Sequence, residues 1–310
     1  MPHLPILILC VIAAGLCFDF VNGFHDASNS IATIVSTRVL TPRQAVLLAA
    51  TFNFIAVFIF GTGVAKTVGS GMISLDYVTP QVILCGLIGA IAWGLITWRF
   101  GIPTSSSHAL MGGYAGAAVF HAILLHGIGA AADPIIAPGW TMVLAFIVIA
   151  PVMGLALGYG LMSALSFAQA RAGLSSDNKL YGRIQVFSSA FLSLMHGSND
   201  AQKTAGILAG AMTAAGVFKS FTVPFWILGL SYGVMGLGTL AGGWRIVRTM
   251  GHRLTKLKPQ DGVCAESAAA LSILAATVFN LPISTTHPTT GAILGVGTAK
   301  DVSRVRWGTA

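Results

Sequence analysis

Two polar stretches interrupt a chain that is otherwise apolar: NGFHDASNS at residues 22–30 and HGSNDAQKT at residues 196–204. Aligned without gaps, they pair Gly23 with Gly197, Asp26 with Asp200 and Ala27 with Ala201, 174 residues apart. A second pair, PTSSSHALMG at 103–112 and PISTTHPTTG at 282–291, shares the pattern PxSxxHxxxG at a separation of 179. Asp26 and Asp200 offer negative charge to Na⁺ or H⁺, and Ser28, Asn29, Ser30, Asn199 and Thr204 offer neutral oxygen or N–H groups. Ser105 and Ser106 in one hydroxyl cluster, and Ser284, Thr285 and Thr286 in the other, can cap a helix or hold an oxyanion. Together these residue types suit one site shared by an oxyanion and a cation, and they leave a bound metal open.

An aspartate at mid-bilayer costs about 2.5–3.5 kcal/mol on insertion scales, so two of them need a compensating cation, proton or water-filled cavity. Gly23 and Gly197 predict breaks in their helices, which would free backbone N–H groups for an anion at the start of each following half-helix. Pro103 and Pro282 suit a first helical position, where no N–H is needed. His25 and His196 border the Asp motifs and are candidates for a proton pathway, because imidazole titrates near neutral pH. They are not equivalent: His25 aligns with Asn199, and His196 with Asn22. Asn22, Lys203, His108 and His287 are supporting candidates, with Lys203, aligned to Asn29, placed to neutralise Asp200, to attract an anion or to snorkel to the interface. Asp19, seven residues before Asp26, can share its helix face, and Glu266 reads equally as interfacial or as a ligand.

The elements that must position these groups follow from composition. Of 310 residues, 55% are hydrophobic and only 8% charged, too few charges for a water-exposed surface. Apolar runs long enough to cross a bilayer recur from residue 4 to residue 299, and within lipid they must be helical, because open sheets cannot satisfy their backbone there. The expected segments are 4–38, 44–66, 81–98, 103–126, 139–167, 184–215, 223–244, 264–280 and 282–299, with 4–38 and 184–215 broken at the Asp motifs. The N-terminus lacks the basic flank and cleavage site of a signal peptide and is kept in the fold. Cys10, Cys17, Cys85 and Cys264 have no CxxC spacing and read as packing residues.

Two polar motifs, each occurring twice in the same order, predict an all-α polytopic membrane protein of two structural repeats with broken helices and a linking transmembrane helix. The first repeat is assigned to residues 1–130, the linking helix and a cytoplasmic loop to 131–183, and the second repeat to 184–310. The net charge of +8 comes from cations in short loops, not from a nucleic-acid-binding face. Counting each broken segment as one crossing puts Arg38/Arg43, Arg99, Arg171/Lys179/Arg183, Arg245 to Lys258 and the tail Lys300/Arg304/Arg306 on one side. Lys66 and Lys219 fall on the other, so the crowded side is cytoplasmic, the N-terminus lies outside the cell or inner membrane, and the repeats are inverted. The loop from Arg245 to Lys258 can also contact anionic lipid. Homo-oligomerisation is compatible with this plan. A serine hydrolase using His108 or His287 is the distant alternative, but its Ser/His sets come in two copies and neither has a nucleophile-elbow context.

GFHDASNS and HGSNDAQKTAGI, together with the paired PxSxxH segments, make the chain resemble the inorganic phosphate transporter (PiT) family over essentially its whole length. The resemblance implies a non-enzymatic secondary transporter that symports inorganic phosphate with Na⁺ or H⁺, some bacterial members taking it as a neutral metal complex. It implies no cofactor beyond the coupling ion. Carried over by position, Asp26, Asn29, Asn199 and Asp200 would form the core of the ion and phosphate site, with Ser105, Ser106, Ser284, Thr285 and Thr286 contacting the oxyanion. His25 stands where the commoner pattern has Asn, and Gln202–Lys203 where it has an Ala–Asn type of pair. These departures favour H⁺ coupling. A sulfate permease of the same fold is the nearer alternative. Carboxylate acceptors favour phosphate over it, since monohydrogen phosphate can donate a hydrogen bond and sulfate cannot.

Overall fold

A computed structural model describes residues 4–173, 178–252 and 254–308, without the side chains of residues 4, 5, 252 and 304. Arg253, residues 174–177 of the basic linker and the side chain of Arg304 therefore lie outside the described residues. Eleven α-helices carry the described chain: α1 (Leu4–Ser36), α2 (Pro42–Ile55), α3 (Gly63–Ser70), α4 (Pro80–Phe100), α5 (Ser106–His126), α6 (Ala137–Ala172), α7 (Asn178–Ala214), α8 (Phe225–Ala241), α9 (Trp244–His252), α10 (Pro259–Val278) and α11 (Thr286–Lys300). Five are long and apolar enough to cross a membrane, and seven spans result if each bent pair, α2 with α3 and α8 with α9, counts as one. The polar middle of α7 and the shortness of α11 keep those two out of that number.

Each half has the same order: a long motif helix (α1, α7), a bent pair (α2–α3, α8–α9) and two further helices (α4 and α5, α10 and α11). The correspondence extends to helix ends. Gly101 (φ 68°) follows α4 and Asn280 (φ 58°) follows α10, two left-handed residues 179 positions apart. α6 stands between the halves. It packs along α11 through small residues, where a Cβ at Gly154 would strike the Pro288 carbonyl and one at Gly291 the Pro151 carbonyl.

Two expectations need correction. α1 and α7 run unbroken through the Asp motifs, as helices of 33 and 37 residues. The breaks fall instead in the second element of each repeat, where α2 and α3 meet at 83° and α8 and α9 at 73°. Gly23 and Gly197 serve close approach: a Cβ at Gly23 would collide with the Met235 carbonyl of α8, and one at Gly197 with the Asn53 carbonyl of α2. Each motif helix thus presses its glycine onto the second helix of the other repeat. The second correction concerns the cysteines. Only Cys264 is buried, while Cys10, Cys17 and Cys85 face outward as free thiols.

The distribution of polarity is that of a protein dissolved in lipid. Large apolar side chains such as Phe120, Leu124, Val148, Phe167 and Phe187 face outward. Asp19, His25, Asp26, His196, Asp200, Lys203 and Glu266 are buried. Since hydrocarbon cannot satisfy polar groups, the interior must do so.

Candidate functional site

The two Asp motifs meet at the centre of the bundle, where α1 crosses α7. Ligand atoms of Asp26, His196 and Asp200 all lie within 4.8 Å of one another, and all three residues are buried. The two hydroxyl motifs close on them from the first turns of α5 and α11. In each repeat the first hydroxyl caps its helix: Ser105 Oγ accepts from the His108 N–H at 3.1 Å, and Ser284 Oγ from the His287 N–H at 3.4 Å. The second donates to the aspartate of its own repeat, Ser106 to Asp26 Oδ2 at 2.5 Å and Thr285 to Asp200 Oδ2 at 3.2 Å.

The third hydroxyl is bonded across the repeats. Lys203 Nζ donates to Ser107 Oγ at 2.5 Å, and Asn29 Nδ2 to Thr286 Oγ1 at 2.9 Å. Lys203 and Asn29 occupy the same position in the motif, so both halves use one wiring plan with different chemistry. The helix-break model placed anion-binding N–H groups at Gly23 and Gly197. The structure brings helix N-termini to the site from α5 and α11 instead, whose positive dipole ends favour negative charge.

Around this shared plan the halves differ. Asp26 has His25 as its neighbour, with Nδ1 2.8 Å from Oδ1. The imidazole Nε2 lies 3.1 Å from Thr97 Oγ1, which in turn accepts from the Thr104 hydroxyl at 3.2 Å. Asp200 has Lys203, whose ammonium donates at 2.6 Å to Oδ1 and at 2.6 Å to the Ile283 carbonyl. His196 Nε2 lies 3.2 Å from Asp200 Oδ2. Lys203 does not snorkel: it is 1% exposed, so its cation must be satisfied by these oxygens. Asn199, the residue aligned with His25, binds Thr277 Oγ1, the Leu281 carbonyl and the Ile283 N–H, which makes it a clamp on the loop before α11.

His108 and His287 face each other with ring centroids 5.0 Å apart, and no described hydrogen bond joins them to either carboxylate. They line a cavity of about 710 Å³ that reaches Thr104 and Ser105, while a second of about 540 Å³ reaches Thr286 and His287. Closer to Asp26, the enclosed space beside Asn22, His25, Thr104 and Ser106 measures only about 10 Å³, room for a single water-sized probe. The carboxylates are therefore sealed, with open space beginning at the hydroxyl motifs. Asn22 is buried there with its carbonyl oxygen unpartnered.

Sequence reasoning passed over Thr97, Thr104, Thr277 and Asn53. Asn53 lies on α2, with its carbonyl oxygen 3.4 Å from His196 Nδ1 and its amide donating to Thr239 at 3.1 Å. Its only signal was a lone amide in an apolar run. Glu266 is fully buried rather than interfacial, and accepts from Thr33 at 2.5 Å, Ser188 at 2.5 Å and Gln185 at 2.9 Å.

The model of the phosphate transporter family matches residues 22–180 and 168–310, one match over each half. The chain belongs to the phosphate transporter family. A protein of Rhizobium meliloti described as "Probable low-affinity inorganic phosphate transporter" is 48% identical over 98% of this chain and 89% of its own length. One of Bacillus subtilis with the same description is 42% identical over 100% of this chain and 91% of its own. Among solved structures, "The sodium-dependent phosphate transporter" shares the fold, with a TM-score of 0.82 at 24% identity over 98% of this chain and 92% of that one. Family members are transporters, and this member is a multi-pass membrane protein.

Proposed function

We propose that the protein carries inorganic phosphate across the cell membrane by alternating access, in symport with protons. The two repeats, residues 1–130 and 184–310, exchange which side is open, and the segment 131–183 links them. The N-terminus lies outside and the C-terminus in the cytoplasm, by the distribution of basic loops. Phosphate is held between the N-termini of α5 and α11 by Ser106, Ser107, Thr285, Thr286 and the Lys203 ammonium, and Asp26 or Asp200 accepts the proton that monohydrogen phosphate donates. Phosphate entering as a metal complex would find oxygen and imidazole ligands in Asp26, His196 and Asp200.

The observation that carries the proton reading is the seat of Lys203. Its ammonium fills the oxygen cage formed by Asp200, Ser107 and the Ile283 carbonyl, so a fixed cation already neutralises that half. The charge left to vary is that of the His25–Asp26 pair, joined to the Thr97 and Thr104 hydroxyls. Ser105 and Ser106 are engaged with a backbone N–H and a carboxylate, which gives the hydrolase alternative no Ser–His couple to build on.

The test is uptake of labelled phosphate into proteoliposomes under separately imposed H⁺ and Na⁺ gradients, with sulfate as competitor. The expected result is uptake driven by an inward H⁺ gradient in Na⁺-free buffer, with little competition by sulfate. Uptake that strictly requires Na⁺ would replace the proton in this reading, and equal competition by sulfate would remove the phosphate selectivity.

A further inference from the structure

On the side of the basic loops, a cavity of about 570 Å³ opens where the turn after α1 meets the start of α7. Its wall carries Arg38 from the turn and Lys179 and Arg183 from α7, with Thr37 and Asn178 beside them. The two elements touch at Gly182, where a Cβ would meet the Val39 side chain at 3.5 Å. They are tied by the Thr37 hydroxyl, which donates to Gln185 Oε1 at 2.9 Å. No carboxylate among the described residues lines the cavity. Its three cations carry a formal charge of +3, and Asp177, which precedes α7 and lies outside the described residues, would bring that only to +2. Arg38 and Arg183 have no ion pair and no side-chain hydrogen bond among the described residues. Other cations on this side are engaged: Arg245 donates to the Arg99 carbonyl at 2.6 Å and lies over the Trp98 ring, and Lys300 Nζ is 2.5 Å from Asp261 Oδ1.

These placements cost stability unless an anion answers them. Arg38 has φ 60°, the left-handed conformation that closes helices and that glycine adopts most easily. Its N–H donates to the Val35 carbonyl and the Val39 N–H to the Ile34 carbonyl, the paired bonds of a Schellman cap. At its far end α7 closes with the same cap, Gly216 N–H to Thr213 and Val217 N–H to Met212, and there the left-handed residue is a glycine. Lys179 and Arg183 stand four residues apart at the start of α7, where like charges repel and the helix dipole disfavours cations. Membrane topology demands none of this, since a basic residue orients the chain from any position in a short loop.

We propose that this cavity binds the phosphate headgroup of an anionic phospholipid. Guanidinium forks match pairs of phosphate oxygens, and basic pockets between membrane helices suit such headgroups. What borders the cavity favours a lipid over a soluble phosphate ester. Leu180, Ile184 and Phe187 of α7 are 52%, 40% and 77% exposed and form a helical stripe next to Arg183, on which acyl chains can lie while the headgroup sits in the cavity. A lipid seated here bridges the ends of α1 and α7, the two helices that carry Asp26 and Asp200, and does so outside the phosphate site.

The test is thermal unfolding of the purified full-length protein in phosphatidylcholine nanodiscs carrying a rising fraction of phosphatidylglycerol, in phosphate-free buffer. Wild-type Tm should rise with phosphatidylglycerol, on the order of 5 °C at saturation. Arg38→Gly suits the left-handed backbone, so in pure phosphatidylcholine it should be at least as stable as wild type. With phosphatidylglycerol, Arg38→Gly and Arg183→Gln should each lose most of the gain, and the double variant all of it. Arg306→Gln removes an exposed charge from the C-terminal tail and should keep the gain, which separates a site from general surface attraction. Native mass spectrometry should find phosphatidylglycerol retained by wild type and by Arg306→Gln but not by the double variant. Soluble glycerol 3-phosphate, which has the phosphate without the chains, should give little stabilisation. The proposal would be overturned by no gain in wild type, by equal gains in wild type and the double variant, by a loss in Arg306→Gln as large as in Arg183→Gln, or by a gain of the same size from glycerol 3-phosphate. Because inorganic phosphate is left out, failure here is separable from failure of the transport reading.

Discussion

Asp26 and Asp200 hold the same place in two copies of one motif, each receives a hydroxyl from the same place in a second motif, and yet they are neutralised by different chemistry. Asp200 meets an ammonium held by the oxygens of Asp200, Ser107 and Ile283. Asp26 meets an imidazole, His25, at 2.8 Å. Duplication explains what is common: the burial, the helix N-termini, the capping serines and the cross-repeat bonds from Asn29 and Lys203. It cannot explain the difference, which arises from single residues at aligned positions, Lys203 against Asn29 and His25 against Asn199. A symmetric scaffold therefore sets an ammonium beside the aspartate of one half and an imidazole beside that of the other.

The sharpest way to break this comparison is to remove the fixed charge. Lys203→Met leaves Asp200 buried and unpaired, which should destabilise the protein by about 3–5 kcal/mol and abolish uptake. Adding Asp200→Asn to that variant should return much of the stability, because the uncompensated charge has gone, without returning transport. Thermal unfolding in nanodiscs together with uptake would read both effects. If Lys203→Met were as stable as wild type, the ammonium would not be what balances Asp200. Asp26→Asn should also abolish uptake but with a far smaller loss of stability, since the amide can keep the bonds to Ser106 and His25 and strands no ammonium.

The matched hydroxyls come next. Ser106→Ala removes the only described neutral donor to the Asp26 carboxylate besides its histidine, whereas Thr285→Val leaves Asp200 with Lys203 and His196. A hydrogen bond to a charged group is worth about 1.5–3 kcal/mol, so Ser106→Ala should weaken phosphate uptake by roughly ten- to a hundredfold. Thr285→Val should cost several-fold less, and equal losses would show that Lys203 does not make up for the missing hydroxyl.

The glycines test the scaffold rather than the charges, and they also show where sequence reading ran out. The duplication, the pairing of the four motifs and the burial of Asp26 and Asp200 were all legible, because they rest on spacing and on the cost of polar groups in lipid. The continuity of α1 and α7 was not. A glycine in an apolar run looks the same whether it breaks a helix or admits a neighbour, and the neighbours here, Met235 and Asn53, are distant in sequence. The true breaks had signals that went unused: Gly61 before α3 and Gly63 at its start, and Gly242, at φ 68°, with Gly243 between α8 and α9. Nor could sequence show that Lys203 would reach the carbonyl of Ile283, 80 residues away. Gly23→Ala should cost about 1–3 kcal/mol by overpacking α1 against α8. Gly197→Ala, where the overlap is shallower, should cost less, and both losses should appear in unfolding midpoints before they appear in phosphate affinity.

The smallest effect on binding, and the most specific on mechanism, is expected from His25→Asn. This substitution gives the first half the residue that the second half carries at Asn199, and so moves the two halves toward symmetry. An amide keeps one contact to the Asp26 carboxylate or to Thr97, so phosphate affinity measured at equilibrium should change by no more than about 1 kcal/mol. What it cannot keep is a second protonation state. The imidazole links the Asp26 carboxylate to Thr97 and Thr104, on the path to the cavity by His108, and it can take up a proton at one nitrogen while releasing one at the other. An amide has no such pair of states. H⁺-driven accumulation should therefore fall much further than phosphate binding, while downhill exchange of phosphate across the same vesicles persists and its dependence on pH flattens. If accumulation and exchange fell together, His25 would be one more packing contact of Asp26, and the asymmetry of the halves would rest on Lys203 alone.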